Sequence, residues 1–251
     1  VILWTELTGE DAAELVIHPD RPADPALAAA FHDAVARRSR GEPLAHIIGR
    51  IGFPRLTLRS DRRALIPRPE TEGLVDLLLS RVSSGRVADV GTGSGCLALS
   101  LATEGGFTHV AGVDLSAEAL ELARENRGLA DARVDLVQAD LCAPLGRDAL
   151  DALVSNPPYL TAAEYAGLDG AVRRWEPALA LESGVDGLDA TSRLLDEGRA
   201  VLRSGGWLAV EVDCTRATET ARRAAGLGWS DVAIHADLFG RERYLLARRN
   251  R

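Results

Sequence analysis

The sequence contains no lysine and no methionine, and cysteine occurs at only three of its 251 positions. All 29 basic residues are therefore arginine, and they face 37 acidic residues, for a formal net charge of -8. An acidic balance disfavours a protein that holds nucleic acid on a broad basic face, although it is compatible with a local basic patch. The missing initiator methionine predicts that further residues precede Val1 in the natural chain.

The three cysteines, Cys96, Cys142 and Cys214, are too widely spaced to form a metal-binding or redox C-x-x-C motif. An odd, scattered set is typical of reduced thiols, so we expect a cytoplasmic protein with no bound metal. No apolar run reaches the roughly 18 residues of a membrane span, and no signal peptide is visible, which predicts no membrane association. The 46% of hydrophobic residues are sufficient for a sizeable core.

From residue 86 onward, short apolar runs alternate with segments of helical periodicity. Such alternation predicts an α/β fold with a Rossmann-like, doubly wound sheet, and the closeness of the last two strands predicts that they pair antiparallel. The predicted strands are Val87–Val90, His109–Asp114, Val134–Ala139, Leu150–Ser155, Trp207–Val212, Val232–Ala236 and Arg243–Ala247. The predicted helices among them are Gly95–Ala102, Ala117–Arg127, Leu188–Leu202 and Thr215–Ala225.

The segment before this alternation has a different pattern. Asp24 followed by Pro25 is typical of a helix start, and helical spacing continues to Gly41. Residues 43–69 carry several glycines and prolines around short alternating pieces, which predicts a linker that contains a β-hairpin. A further helix is predicted over Glu70–Val82.

A glycine-rich loop follows the first predicted strand of the sheet. Its residues are Gly91, Thr92, Gly93, Ser94 and Gly95. A loop of this kind at a helix start offers backbone N–H donors to a carboxylate or a phosphate. It would also fit a purely structural turn.

Two acids sharpen the interpretation of this loop. Asp114 ends the next strand, where a carboxylate can accept hydrogen bonds from two ribose hydroxyls, and Asp140 ends the third strand, where it can meet an adenine edge. Together with the loop they indicate a nucleoside ligand. The spacing G-x-G-x-G favours S-adenosylmethionine over a nicotinamide dinucleotide without deciding between them.

The tetrad Asn156-Pro157-Pro158-Tyr159 follows the fourth strand and is predicted to lie beside the glycine loop. Two prolines remove N–H donors and fix the backbone, so the Asn156 side-chain oxygen and the Pro157 carbonyl can accept the two hydrogens of a planar –NH2 group. Tyr159 offers a flat face that can pack on an amide or a base. The structural alternative is a proline turn, followed by a helix that starts at a capping box on Thr161.

Such a grip solves a chemical problem. An amide or aromatic amine nitrogen is a weak nucleophile because its lone pair is delocalised, and holding both hydrogens aims it at an incoming methyl carbon. Methyl transfer from a sulfonium depends mainly on in-line positioning, which can lower a barrier by up to ~7–11 kcal/mol. No serine–histidine or cysteine–histidine arrangement is needed for this chemistry.

With these motifs, the chain resembles the HemK-type peptide chain release factor glutamine N5-methyltransferases, a class I S-adenosylmethionine-dependent family. The resemblance covers nearly the whole chain. It is most specific in the I-P-R-P-E-T-E and E-P-A-L-A-L segments, because N-P-P-Y also occurs in adenine-N6 and guanine-N2 nucleic-acid methyltransferases. The matching segments include Glu42–Leu44, Leu65–Glu72, Asp89–Gly95, Ser155–Tyr159, Glu176–Pro177, Asp186–Leu188 and Asp237–Leu238.

The resemblance implies a helical substrate-recognition domain in residues 1–41, partial at its start, a β-hairpin linker in 42–69 and a methyltransferase domain in 70–251. It implies S-adenosylmethionine as donor, S-adenosylhomocysteine as product, and the glutamine of the Gly-Gly-Gln motif of bacterial release factors as acceptor. Neither a metal nor a direct nucleic-acid contact is implied, and we expect a monomer. The alternative function is methylation of a nucleic-acid amino group through the same tetrad.

The resemblance also assigns roles to residues. Asn156, Pro157 and Tyr159 would be catalytic. Residues 156–159, Pro158 included, would bind the glutamine amide. The donor would be held by Gly91, Thr92, Gly93, Ser94, Gly95, Asp114, Asp140, Leu141 and Asn156.

Three positions near the site leave questions open. Arg68 and Glu70 are equally compatible with a structural ion pair and with shaping the glutamine pocket. Asp213 stands where the family commonly has glycine after the fifth strand, which predicts a changed pocket wall or a changed local turn.

Overall fold

The computed structural model describes residues 1–250 and begins with four short helices. Aspartate side chains cap two of them: Asp11 accepts from the Ala13 N–H, and Asp24 accepts from Ala26 N–H and Leu27 N–H. The helix predicted to start at Pro25 is confirmed. The four are α1 (Ile2–Thr8), α2 (Ala12–Ile17), α3 (Pro25–Ser39) and α4 (Leu44–Ile48).

The hairpin predicted in the linker is also present. Strands β1 (Arg50–Phe53) and β2 (Leu56–Arg59) pair antiparallel. Phe53 and Leu58 are buried and belong to the same hydrophobic cluster as the first helices of the sheet, so the hairpin packs on the main body.

Seven strands form one sheet in the order β5-β4-β3-β6-β7-β9-β8. Strand β9 pairs antiparallel with both of its neighbours, and the other pairs are parallel. The doubly wound sheet with antiparallel C-terminal strands is therefore confirmed. The strands are β3 (Ser84–Val90), β4 (Gly106–Asp114), β5 (Asp135–Gln138), β6 (Leu150–Ser155), β7 (Leu202–Glu211), β8 (Trp229–Ala236) and β9 (Glu242–Arg249).

Helices cover both faces of the sheet, and the alternation of side chains along β6 shows how. Ala152 and Val154 join the cluster under α5 and α6, whereas Leu153 joins the cluster under α10 and α11. All six residues of β6 are buried, as expected for a central parallel strand. The remaining helices are α5 (Pro69–Leu79), α6 (Cys96–Glu104), α7 (Ala117–Ala130), α8 (Ala162–Gly167), α9 (Gly170–Trp175), α10 (Asp189–Val201) and α11 (Ala217–Gly226), with a 3-10 turn at Ala178–Ala180.

The predicted bounds differ most from the structure at β7. This strand begins at Leu202, directly after α10, rather than at Trp207. Gly205 lies at φ +81°, and the pairing register with β6 shifts between Leu150 and Ala152. Gly205 and Gly206 therefore interrupt the apolar pattern without ending the strand. Within residues 1–250, every helix is too short or too polar to cross a lipid bilayer.

Candidate functional site

The glycine loop lies at the carboxyl end of β3, where the strand order reverses. Gly91 and Gly93 adopt left-handed φ values of +74° and +55°, which most other residues avoid. A Cβ at Gly91 would meet no atom within 4 Å, so the backbone there faces open space. Gly95, by contrast, starts α6 and packs on Leu99, where a Cβ would lie 3.2 Å from a side-chain carbon.

The buried side chain of Asp89 supports the glycine loop through hydrogen bonds. Asp89 accepts from the Thr92 hydroxyl at 2.6 Å and from the Ala98 N–H at 3.1 Å, so it also caps the first turn of α6. Its side chain has no exposure, and burial raises the pKa of Asp89 to about 7. Sequence reasoning missed this role, although an acid inside an apolar strand was the available signal.

Asp114, at the end of β4, closes the loop from the side. It accepts from Gly93 N–H at 2.8 Å through one oxygen and from Ser116 N–H at 2.9 Å through the other. Burial raises the pKa of Asp114. Each carboxylate oxygen keeps a second lone pair, so further hydroxyl donors can bind there.

Asp140 and Leu141 lie at the next corner. Leu141 has a φ of +45°, a strained value for a residue with a side chain. The Asp140 carboxylate forms two hydrogen bonds with Arg193, at 2.9 and 3.2 Å, and both side chains are about half exposed. Arg193 comes from α10 and was not predicted, because a lone arginine on a polar helix face carries no local signal.

The proline tetrad is joined to the glycine strand. The Ser155 hydroxyl donates to the Val90 carbonyl at 2.6 Å, which ties the end of β6 to the end of β3. Beyond it, the Asn156 side-chain N–H donates to the Thr71 hydroxyl oxygen at 3.2 Å, and the Thr71 hydroxyl donates to Glu211 at 2.7 Å. Burial raises the pKa of Glu211 to about 7.

The tyrosine of the tetrad is enclosed by the chain that follows. Burial, reinforced by the negative charge of Glu211, raises the pKa of Tyr159 to about 12, so its hydroxyl stays protonated. A Cβ on Gly187 would lie 2.5 Å from the Tyr159 carbonyl oxygen, a clash that only glycine avoids. Leu160 then forms a parallel bridge with Glu182, which brings the segment after α9 back to the site.

Arg68 forms the ion pair that was one of its two predicted roles. Its guanidinium contacts both oxygens of Glu176 at 2.7 and 2.8 Å, and Glu176 is almost fully buried. Arg68 also lines the cavity at this corner of the sheet, and the shaping of a glutamine pocket stays a prediction. Glu70 contributes its backbone: its carbonyl accepts from the Tyr244 hydroxyl at 2.5 Å.

These groups surround one cavity of about 520 Å³. This volume lies within the range of pockets that hold small organic ligands. The predicted site residues that line it are Gly91, Thr92, Gly93, Ser94, Asp114, Asp140, Leu141, Asn156 and Pro158. Gly95 of the loop and Pro157 and Tyr159 of the tetrad do not line the cavity. Lining residues that were not among the predicted site residues include Arg63, Ala64, Leu65, Thr71, Leu179, Glu182, Asp189 and Arg193.

Comparison with known proteins decides the family. The model of the family described as PrmC N-terminal domain matches residues 1–49, and that of the Methyltransferase small domain matches residues 70–168. The release factor glutamine methyltransferase of Deinococcus radiodurans is 40% identical over 251 residues, covering 99% of this chain and 89% of the relative. The chain belongs to the release factor glutamine methyltransferase family.

A second relative agrees with this membership, and two solved structures share the fold. The release factor glutamine methyltransferase of Moorella thermoacetica is 43% identical over 90% of this chain and 81% of its own length. A methyltransferase structure from Pyrococcus furiosus aligns at TM-score 0.61 and 20% identity, over 88% of this chain and all of that one. A T. thermophilus 16S rRNA N2 methyltransferase, solved with AdoMet and guanosine, aligns at 0.54 and 19% over 78% and 47%. At these identities the two structures support the fold alone.

Within this release factor glutamine methyltransferase family, the resemblance inferred from the motifs is confirmed, while the division into three segments and the individual residue roles stay predictions. Asp213 has a local effect. It accepts from the Thr215 N–H at 2.9 Å and contacts Arg216 at 3.2 Å, so it shapes the turn before α11 and does not line the cavity. In the part of the chain that the structure describes, no three histidine, cysteine or acidic side chains cluster as metal ligands.

Proposed function

We propose that this protein transfers a methyl group from S-adenosylmethionine to the side-chain amide nitrogen of the glutamine in the Gly-Gly-Gln motif of bacterial peptide chain release factors. The support is the family membership together with one observation: Asn156 faces the same cavity as the glycine loop. Asn156, which would accept from an –NH2 group, and the glycine loop, which would bind a nucleoside, therefore line one cavity.

The donor end of the cavity fits a sulfonium nucleoside. The N–H groups of Gly91, Thr92, Gly93 and Gly95 already donate to acceptors within the protein, so the loop would receive the donor mainly through the open backbone face at Gly91. The Asp114 carboxylate has lone pairs left for ribose hydroxyls. Near the adenine, Leu141 would supply an apolar contact. Asp140, which already accepts from Arg193, would also accept a hydrogen bond from the adenine amino group. When bound there, S-adenosylmethionine supplies an electrophilic methyl carbon.

At the acceptor end, the proposed roles follow the tetrad. The Asn156 side-chain oxygen and the Pro157 carbonyl would accept the two hydrogens of the glutamine amide, and Pro158 and Tyr159 would keep that geometry rigid. Bond formation from the nitrogen to the methyl carbon would break the C–S bond and leave its electron pair on sulfur. The nitrogen would then release one proton to water, and the products would be N-methylglutamine and S-adenosylhomocysteine. The two acceptors stabilise the positive charge that grows on nitrogen.

The test measures methyl transfer from labelled donor to three acceptors: a recombinant release factor, duplex DNA and ribosomal RNA. We expect label only on the release factor, and mass spectrometry should place one added methyl group on the glutamine of Gly-Gly-Gln. A release factor with that glutamine changed to alanine is the matched control and should stay unlabelled. Label on nucleic acid alone would establish the alternative function and overturn the proposal.

Three further features belong to the same proposal. We propose that the enzyme acts as a monomer in the cytoplasm, needs no metal and makes no lasting contact with nucleic acid. Activity should therefore persist in excess chelator and be unaffected by competitor DNA. A loss of activity in chelator that added metal restores would contradict this part.

A further inference from the structure

Three polar side chains form a hydrogen-bonded row behind the tetrad. The Asn156 side-chain nitrogen lies 3.2 Å from the Thr71 hydroxyl oxygen, and that oxygen lies 2.7 Å from a carboxylate oxygen of Glu211. The three residues come from the loop after β6, the first turn of α5 and the end of β7. Thr71 and Glu211 are each only 2% exposed, so water does not compete for these bonds.

The row has a direction. An ionised carboxylate has no proton to give, so the single hydroxyl proton of Thr71 must point to Glu211. The Thr71 oxygen can then only accept, and the part of the Asn156 side chain that faces it must be the –NH2 group. The Asn156 carbonyl oxygen is consequently turned away from Thr71.

We propose that Thr71 and Glu211 are positioning residues that fix the orientation of the Asn156 side-chain amide, so that its oxygen and not its –NH2 group is presented to the acceptor nitrogen. The inference rests on the proposed function for the identity of the acceptor. It adds two residues that act through Asn156: Thr71 lines the cavity beside Asn156, and Glu211 lies outside the lining.

The orientation of Asn156 needs such a device because the two ends of an amide have nearly the same shape. A half-turn about the last side-chain bond exchanges oxygen and nitrogen with almost no change in packing. The exchanged form would present N–H donors to an acceptor group that also carries N–H donors. Hydrogen-bond polarity is therefore the property that separates the productive form from the unproductive one.

The charges around Glu211 determine when the row has this direction. The pKa of Glu211 is raised to about 7, with burial as the largest cause and the negative charge of Glu70 at the start of α5 as a smaller one in the same direction. The hydrogen bond from Thr71 and the charges of Arg243 on β9 and Arg68 before α5 lower the pKa. The other titratable side chains that Glu211 affects are Tyr159, Tyr244 and Cys96.

Protonation of Glu211 removes the constraint on Thr71, because a carboxylic acid can donate to the hydroxyl. The Thr71 proton is then free to turn to the Asn156 oxygen. Methyl transfer by the wild-type protein should therefore rise as the pH increases through about 7.

The decisive experiment compares Thr71→Val with Thr71→Ser. Valine keeps the shape and removes the hydroxyl, so the turnover number should fall by about 10–100-fold, the cost of a displaced reacting geometry. Serine keeps the hydroxyl and should restore most of the turnover. Donor affinity, measured by calorimetry, should change little in either variant. Turnover in Thr71→Val equal to the wild-type value would overturn the proposal.

Thr220→Val is the matched control for loss of a buried hydroxyl. Thr220 has no exposure, and its hydroxyl donates to the Arg216 carbonyl at 2.9 Å in α11, on the opposite face of the sheet. This variant should have altered stability and unaltered turnover. If it lowers turnover as much as Thr71→Val, the effect belongs to general destabilisation and the proposal fails.

A double-mutant cycle separates positioning from a merely structural role. If Thr71 acts through Asn156, then Thr71→Val has no further effect on turnover once Asn156→Ala is present. Two full, additive losses would mean that Thr71 acts independently, which overturns the proposal. Should Thr71→Val not fold, Thr71→Ala takes its place in the same cycle.

The pH arm uses Glu211→Gln. Its side chain does not ionise, so the rise in turnover near pH 7 should disappear. Glu72→Gln is the control, because burial raises the pKa of Glu72 as well and this acid of α5 lies outside the cavity lining, so the rise should persist in this variant. An unchanged rise in Glu211→Gln contradicts the inference.

The outcomes of this series stay separate from those of the proposed function. If the wild-type protein labels nucleic acid and not a release factor, the proposed function fails. The turnover numbers of Thr71→Val and Thr71→Ser, measured on that nucleic-acid amino group, still test the positioning role of Thr71, because the amino group also carries two N–H donors.

Discussion

The hydrogen bonds at the two ends of the cavity join residues at very different separations along the sequence. At the donor end, Asp89 bonds to Thr92 three positions away and to Ala98 nine positions away, and Gly93 bonds to an acid 21 positions away. At the acceptor end, Asn156 and Thr71 are 85 positions apart, and Thr71 and Glu211 are 140 apart. The donor end is a local motif supported by its own strand, whereas the acceptor end depends on the complete sheet.

This contrast predicts different consequences of mutation. A change at the donor end should act mainly on donor affinity, because the loop needs only its immediate neighbours. A change at the acceptor end should act on turnover, because it alters the alignment of groups that the whole fold brings together. Four experiments test this difference between the two ends.

The largest effect is expected for Asn156→Ala at the acceptor end. Loss of one preorganised polar group should lower turnover by at least ~100-fold while donor affinity stays nearly constant. Stopped-time assays with labelled donor measure the first quantity, and calorimetry measures the second. Asn250→Ala is the control, since Asn250 is exposed and its side chain bonds only to the Gly228 carbonyl among the described residues. Wild-type turnover in Asn156→Ala would show that the amide grip is misassigned.

A comparable effect on stability is expected from the one buried acid at each end. Burial raises the pKa of Asp89 and of Glu211 to about 7, from ordinary values of 3.8 and 4.5. A raised carboxyl pKa contributes stability that is present below the unfolded pKa and is lost as the pH rises towards the folded pKa.

The measurement is denaturant unfolding of Asp89→Asn, Glu211→Gln and the wild type at several pH values. Between about pH 4 and pH 7, each variant should gain on the wild type by on the order of 3 kcal/mol of unfolding free energy. Equal gains in unfolding free energy would mean that the donor end and the acceptor end differ only in the sequence separation of their contacts. A variant whose difference from the wild type is independent of pH would contradict the buried, titrating carboxyl group.

A smaller effect is expected for Asp114→Ala at the donor end. The carboxylate holds Gly93 and Ser116 and faces the cavity, so its loss should weaken donor binding by about 10–100-fold, with a smaller effect on saturated turnover. Asp20→Ala, in an exposed loop, is the control. An equal fall in turnover and affinity would break the division of roles between the two ends.

The smallest effects come from a pair of helical glycines. A Cβ at Gly73, in α5, would lie 2.5 Å from the Tyr244 hydroxyl, so Gly73→Ala should destabilise the protein by about 1–3 kcal/mol through overpacking. A Cβ at Gly128, in α7, would meet nothing within 4 Å, so Gly128→Ala should stabilise it by about 0.5–1 kcal/mol. Thermal unfolding checks both. The same sign for both substitutions would contradict the described packing of α5.

What the sequence predicts follows the same division. The strand–loop–helix at Gly91 and the tetrad at Asn156 are recognisable because each is contiguous, and both were placed at the correct corner of the sheet. Thr71 was visible only as part of a family motif, with no role, since nothing in a sequence shows which side chains 85 positions apart will meet.

The fold shows a parallel limit. Apolar periodicity predicts the central strands, but α1 and α2 contain no buried residue and so leave no periodic pattern to detect. The early start of β7 was missed because Gly205 and Gly206 interrupt the apolar run, although the pairing with β6 resumes across them. Prediction fails at the start of β7 because strand pairing, and not local preference, fixes the backbone there, and it fails at α1 and α2 because neither helix buries an apolar face.

One side chain in α7 connects the hairpin to the donor end. Asn126 has no exposure, accepts from the Arg59 N–H at 2.6 Å, and donates to the Arg59 carbonyl at 3.3 Å and to the Ser94 carbonyl at 2.9 Å. Aspartate would lack the two donors, and leucine would lack all three functions, so only an amide of this length matches the site. The hairpin and the glycine loop are therefore joined through one side chain. A displacement of β2 would break the bond from the Asn126 side-chain nitrogen to Arg59, and the same nitrogen holds the loop at Ser94.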